Sequence, residues 1–494
     1  MTNMLHQPYW STMGPLLVIV ITAFVVMILE FLFRNGSRRW LTLISLLGVV
    51  VAFVPAIQHF SVPYNPKSSF LLNTIIADGM SSVFTILILL TAFLVLLFTL
   101  DYTGHKKIAA EHTYLLLFAV AGALTMATAY DLIALYVGLE LLSVSSYVLV
   151  AVRKQSVRAV EGGIKYLIMG SIGSATLLYG MSFIYGLTGT TDLVQLASQM
   201  GPSLFGNYGP IVVLSFVLML MGMGFKLSLV PFHMWTPDAY DGAASPVSAF
   251  LATLAKSAAF VMLLRILLFG FFKVAPHMFF WAAILAAVTM FVGNIVALPQ
   301  RNMKRLLAFS SVAQAGYIFI PFALIGTASQ LDWNGLFSSI AFYLFAYTFM
   351  TVGAFAVVSV VSRNRGSVDD EALVGLYKRS PWLAGALTIF VLSLAGMPLT
   401  AGFLGKFYIF TETLHLHYLW LGIVLFGTSV ISFYYYLGWL RKVYHRDSEG
   451  VAVARIPVGG VMTTLLGLCI AGTLVLGLAP DLLMYPLQHF AQWP

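Results

Sequence analysis

The chain has 494 residues, 60% of them hydrophobic and only 9% charged, against about 25% charged in ordinary soluble domains. A soluble protein of this length needs far more polar surface, so the composition excludes a soluble enzyme and makes lipid the solvent for most of the chain. The net charge of +8 then becomes a question of which side of a membrane each positive charge occupies. The single cysteine, Cys469, excludes an intrachain disulfide, a thiolate zinc site and an iron–sulfur cage, each of which needs several sulfurs.

Apolar runs of about 20 residues, long enough to cross a bilayer, predict fourteen spans. The first three cover 14–33, 40–60 and 79–100. No Lys or Arg precedes the first, and Arg34, Arg38 and Arg39 follow it, so it reads as a retained span and not a cleaved signal peptide. Five spans follow at 113–130, 131–152, 163–187, 209–230 and 245–270. Five more lie at 276–298, 303–325, 335–361, 384–410 and 416–440, and a last at 457–479. The longest connections, 188–208 and 362–383, are too short to fold alone, so the chemistry has to lie in or beside the helix bundle. The layout predicts an all-α polytopic membrane protein: a three-helix segment (1–112), two five-helix repeats (113–270 and 276–446) and a C-terminal helix (447–494). Because five is odd, the second repeat enters from the opposite side and the pair is inverted.

The charges test this count. With the N-terminus outside, the inner connections carry 19 basic residues and the outer segments only Lys67 and Lys273, as the positive-inside rule requires. Both termini are then on the outer side. All nine tryptophans fall in connections or near span ends, as an interfacial belt predicts.

Five basic residues remain inside spans: Lys165, Lys226, Lys256, Arg265 and Lys406. A charge at the bilayer centre costs about 2.5–3.5 kcal/mol, so each needs a partner, internal water or a neutral form. Glu140 lies near the middle of span five. A carboxylate beside a lysine makes a pair that can separate and pass a proton onward, or that merely joins two helices. Lys226 precedes Pro231, which breaks span seven and frees the carbonyl of Leu227. Span twelve repeats the combination, with Gly396, Pro398 and Gly402 ahead of Lys406. A broken helix with a buried lysine in each half is the pattern of a duplicated transport unit. Intramembrane ionisable residues are functional by default, so the relay reading leads over the structural one for Lys165, Lys256 and Lys406 as it does for Glu140, whereas Arg265, always charged, reads as structural or snorkelling. His233 can exchange protons near neutral pH, although a histidine alone there also fits an interfacial role. Ser143, Ser146 and Ser228 read as packing hydroxyls. No GxxxxGK[ST] or GxGxxG loop is present, which argues against nucleotide hydrolysis and dinucleotide binding, and the histidines are too scattered for a metal cage.

The segments VPFHMWTPDAYDGAASPVSAFLATLAKSAAF, YVGLELLSVSSYVLV, KRLLAFSSVAQAGY and GMPLTAGFLGKFYIF resemble the antiporter-like membrane subunits of bacterial NADH-quinone oxidoreductase, respiratory complex I. The resemblance covers spans four to thirteen. The tyrosine and GA after PDA, followed by FLAT, resemble the N branch of that family. The resemblance implies that Glu140 and Lys226 are a coupled input pair, Lys256 a central relay and Lys406 the output group, with Lys165 and His233 as further polar positions. Gln314 stands where many members carry histidine; its amide takes no proton at neutral pH, so transfer there would use water that it holds. The resemblance further implies proton translocation in the bacterial inner membrane, with no cofactor in this chain. NAD, FMN, iron–sulfur clusters and quinone are expected in partner subunits. The expected neighbours are antiporter-like subunit M, small membrane subunits and lipid, with the peripheral redox arm reached indirectly and no nucleic acid. The alternatives are a subunit of a sodium/proton antiporter or membrane-bound hydrogenase, or a structural spacer whose buried charges only pair helices.

Overall fold

The computed structural model describes residues 8–33, 39–60, 69–70, 74–105, 111–271, 279–325, 333–445 and 455–489. In lipid every backbone N–H and C=O needs a partner within its own segment, and helices supply this for apolar runs. The described chain is accordingly helical, apart from a minute antiparallel pair of β1 (Ser69–Phe70) with β2 (Ile75–Ile76). The N-terminal segment is α1 (Pro8–Leu32), α2 (Arg39–Phe60) and α3 (Gly79–His105). The next block is α4 (His112–Thr128), α5 (Leu132–Ala151), α6 (Val157–Thr188), α7 (Leu193–Gln199), α8 (Pro202–Leu227), α9 (Thr236–Gly242), α10 (Ser245–Ala252) and α11 (Leu254–Arg265). Then come α12 (Phe279–Ala297), α13 (Met303–Leu324), α14 (Trp333–Arg365), α15 (Leu376–Arg379), α16 (Pro381–Ala395), α17 (Ala401–His415) and α18 (Leu419–Val443). The chain closes with α19 (Gly460–Leu478) and α20 (Asp481–His489).

Twelve of the described helical stretches are long and apolar enough to cross a membrane, and two shorter apolar helices, α4 and α16, complete the fourteen expected. Both expected breaks are present. Helix α8 ends at Leu227, where Ser228 turns left-handed at φ 62°. Helix α16 ends at Ala395, with Gly396 at φ 96°, and the span resumes as α17. A further break was not expected: Thr253, at φ −113° and ψ −75°, divides span eight into α10 and α11. Helices α10, α11, α13 and α14 are enclosed almost entirely by protein and form the centre; α1, α6 and α19 expose most of their surface on the periphery.

Two expectations need correction. Lys165 lies within the apolar stretch Val157–Thr188 but is not buried in protein: its side chain is 46% exposed and paired to Glu161 and Asp238, both at 2.7 Å. Helix α6 begins at Val157 instead of 163, capped by Ser156, and Lys165 lies on its exposed face beside Glu161 at i−4. Trp235 and Trp439 do not belong to an interfacial belt, being only 2% and 1% exposed. Trp281, Trp382 and Trp420 are exposed, as a belt requires. Lys67, Lys273 and Trp493 lie outside the described residues.

Candidate functional site

The buried polar groups of the centre are built on the helix breaks. At the end of α8, Lys226 donates to Tyr166 Oη of α6 at 2.8 Å and to Ser143 Oγ of α5 at 3.0 Å. Its ammonium also lies 5.1 Å from the centre of the Tyr166 ring, within cation–π range. The broken segment after Ser228 folds back on this site. Trp235 stacks on Tyr166 at 4.1 Å and 11° and donates its indole N–H to the Phe225 carbonyl at 3.0 Å. The same carbonyl also accepts from the Ser228 N–H at 3.1 Å, so the indole adds a second donor at the end of α8.

Glu140 does not touch Lys226. It lies one turn before Ser143 on α5, half-buried, with Oε1 enclosed and without a hydrogen-bond partner. The coupled pair expected from the sequence is thus not a direct ion pair: the hydroxyls of Ser143 and Tyr166 hold the ammonium, and the Glu140 carboxylate acts on it through space. Ser143, read from sequence as packing, is a direct partner.

Lys256 follows the Thr253 break by less than one turn. It donates to both oxygens of Ser311 on α13, at 2.5 Å to the carbonyl and 2.6 Å to Oγ. Tyr347 of α14 donates to the same Oγ at 2.9 Å. Ser311, Gln314 and Tyr317 are spaced i, i+3, i+6, so they share one face of α13. Gln314 accepts from the Tyr343 hydroxyl and donates to the Leu394 carbonyl at 3.1 Å. Lys406 reaches back from α17 to the end of α16, bonding the carbonyls of Leu394 at 3.1 Å and Ala395 at 3.0 Å, over the Tyr317 ring at 4.8 Å. An ammonium at a helix C-terminus meets both unsatisfied carbonyls and the negative end of the helix dipole. Beyond Tyr317, Asn294 Nδ2 donates to its hydroxyl and Tyr435 donates to Asn294 Oδ1, each at 2.9 Å.

The structure thus links Lys256, Gln314 and Lys406 through one face of α13. Lys226 forms a separate cluster, and among the described residues no hydrogen bond joins it to Lys256. Tyr240, with its hydroxyl buried and without a partner, packs edge-on to Trp235 at 6.3 Å. His233 stands apart from all three lysines, with Nδ1 buried and unpartnered; burial holds its imidazole below the usual range. Lys165 belongs to a surface cluster in which Asp238 of α9 also holds Arg305 at 2.6 Å. Burial alone would raise the Asp238 carboxyl, but the hydrogen bonds from Lys165 and Arg305 outweigh it and hold the carboxyl below its ordinary value. Arg265 is structural, not snorkelling: fully buried, it grips Asp78, just before α3, at 2.5 and 2.7 Å and the Ala127 carbonyl at 2.8 Å.

Sequence reasoning missed Tyr166, Ser311, Tyr343 and Tyr347. The serines and tyrosines of α13 and α14 lie one and two turns apart, which marks a common face, but that spacing does not say which face meets a lysine.

Residues 129–432 match the family described as NADH:quinone oxidoreductase/Mrp antiporter, TM. The chain is similar to the NADH-quinone oxidoreductase subunit N of a Geobacillus strain, 41% identical over 501 residues, covering 98% of this chain and 99% of the relative. Among solved structures it resembles a chain of respiratory complex I from Thermus thermophilus with bound aureothin. That match has 32% identity and a TM-score of 0.78, covering 96% of this chain and 99% of the other. A chain of the Mrp complex from Dietzia, at 20% identity and a TM-score of 0.82 over 97% of both chains, shows the fold alone.

Proposed function

The chain belongs to the NADH:quinone oxidoreductase/Mrp antiporter family, and from that premise we propose that its buried polar axis is the path by which protons cross it. The chain is a multi-pass, proton-translocating membrane subunit of NADH-quinone oxidoreductase and works within a multisubunit membrane complex. Electron transfer from NADH to quinone takes place in partner subunits that carry the NAD, FMN, iron–sulfur and quinone sites. Its neighbours are antiporter-like subunit M and small membrane subunits, and both of its termini lie on the outer side of the inner membrane. The two repeats, 113–270 and 276–446, each contribute a broken helix, and the first adds the Thr253 break, an arrangement that supports alternating access.

One observation carries the relay: Lys226, Lys256 and Lys406 are buried, yet each is held by neutral hydroxyl or carbonyl oxygens. A purely structural buried charge calls for an opposite charge, because desolvation costs several kcal/mol per ion. A lysine held by neutral acceptors can shed its proton without leaving a bare carboxylate behind. In this scheme the charge of Glu140 acts on Lys226 through space. Lys226 passes its proton toward Lys256 by way of water near Tyr240. From Lys256, transfer along the Ser311–Gln314 face to Lys406 uses hydroxyls and water, since the Gln314 amide orients but takes up no proton. Lys165 and His233 hold the break between α8 and α9 and stand off the main path.

The test is Lys256→Met in the complex reconstituted into vesicles. We expect an assembled complex that still reduces quinone but pumps poorly. Loss of assembly, or unaltered pumping by an assembled complex, would overturn the relay.

A further inference from the structure

The axis leaves one charged cavity unused. Where α3, α5, α13 and α14 end or begin on the side that collects the basic connections, Arg153, Arg158, Lys304 and Arg363 line a cavity of about 200 Å³ with Asp241 and Tyr102. Serines from the starts of α6 and α10 and from the end of α14 complete the wall. Four cations face one carboxylate in this lining. A second, Asp101, lies behind and holds Arg363 at 3.3 Å. Arg153 gives its inward hydrogen bonds to the Gly242 and Ala243 carbonyls, and Lys304 also reaches the Ala243 carbonyl, at 2.7 Å. These bonds satisfy donors without cancelling charge. Arg153 Nε is buried with no partner. Arg158 is 71% exposed, and its contact with Asp241 is long, at 3.9 Å.

We propose that this cavity binds a phosphate-bearing anion, with Arg153, Arg158, Lys304 and Arg363 as its ligands and the serine hydroxyls as additional donors. Guanidinium forks match phosphate oxygens in pairs, and an anion here offsets the mutual repulsion of the four cations. The cavity lies at helix ends, the depth at which lipid phosphates meet basic side chains. The same chemistry would also receive a soluble phosphate. The site uses none of the residues of the lysine axis, so it stands or falls separately from the proton path.

The test uses the purified complex in uncharged detergent, with wild-type and Arg158→Gln forms titrated with inorganic phosphate and, separately, with short-chain phosphatidylglycerol. The readout is the rise in thermal unfolding midpoint. Comparing the two forms cancels other anion sites. We expect the concentration of the effective anion needed for half the rise to increase about fivefold in Arg158→Gln, as for loss of one basic contact to a phosphate, while Arg158→Lys stays close to wild type. A response confined to phosphatidylglycerol identifies a lipid headgroup, and one shared by phosphate identifies a soluble anion. Coincident titrations of wild type and Arg158→Gln for both anions would overturn the proposal. Because Arg158 is largely exposed, the variant is expected to fold; Lys304→Gln, whose amide still donates to the Ala243 carbonyl, provides an independent second comparison with the same expected shift.

Discussion

At the residue scale, what matters is which oxygen receives each buried ammonium. Lys226 was legible as a buried lysine because a charge in an apolar run is conspicuous; Tyr166 was not, because one tyrosine among 23 has no distinguishing neighbour in sequence. Tyr166→Phe keeps the stack on Trp235 and deletes only the hydroxyl that Lys226 bonds. A hydrogen bond to a charged group is worth about 1.5–3 kcal/mol, so we expect an assembled complex whose proton pumping falls roughly tenfold or more, measured by pH-sensitive dye in vesicles. Asp238 offers a pH test. Its folded-state value lies below the ordinary 3.8, so the stability it contributes is fully present above 3.8 and is lost only as pH falls through the lower folded value. Thermal unfolding of wild type and Asp238→Asn should therefore differ at neutral pH, and the difference should shrink only below 3.8.

At the scale of the element, the two breaks do related work by different means. Helix α8 carries its own lysine in its last turn, whereas the end of α16 is served by Lys406 from the segment that follows. Proline and glycine made both breaks readable in sequence, since a missing N–H and a left-handed turn are local properties. The Thr253 break was not readable, because threonine has no such signature and the irregularity is held by the surrounding helices. The crossing of α17 over α16 depends on Gly402, where an added Cβ would overlap the Ser393 carbonyl and whose N–H is taken by Ser393 Oγ at 3.1 Å. Overpacking of this kind costs about 1–3 kcal/mol. Gly402→Ala should lower the thermal midpoint of the complex and displace Lys406 from the Leu394 and Ala395 carbonyls, so that pumping drops more steeply than the amount of assembled complex.

For the molecule as a whole, the bidentate Arg265–Asp78 pair ties the N-terminal three helices to α11, nine residues beyond Lys256. Removing one member strands a buried charge, at a cost of about 3–5 kcal/mol, whereas replacing both by apolar residues can be nearly neutral. Arg265→Leu should therefore reduce the assembled complex sharply in a native gel, and Asp78→Leu added to it should restore most of the loss. The sequence by itself determined that the chain lives in lipid, that it crosses about fourteen times, where two helices break and which charges fall within apolar runs. Each of these follows from local composition: apolar length, proline and glycine, and charge where charge is costly. The tertiary structure alone decided that Lys165 faces outward, that Glu140 misses Lys226, and that three lysines rest on neutral oxygens. Those facts depend on which faces of distant helices meet, and hydrophobic periodicity is nearly silent about that when a helix is apolar all round.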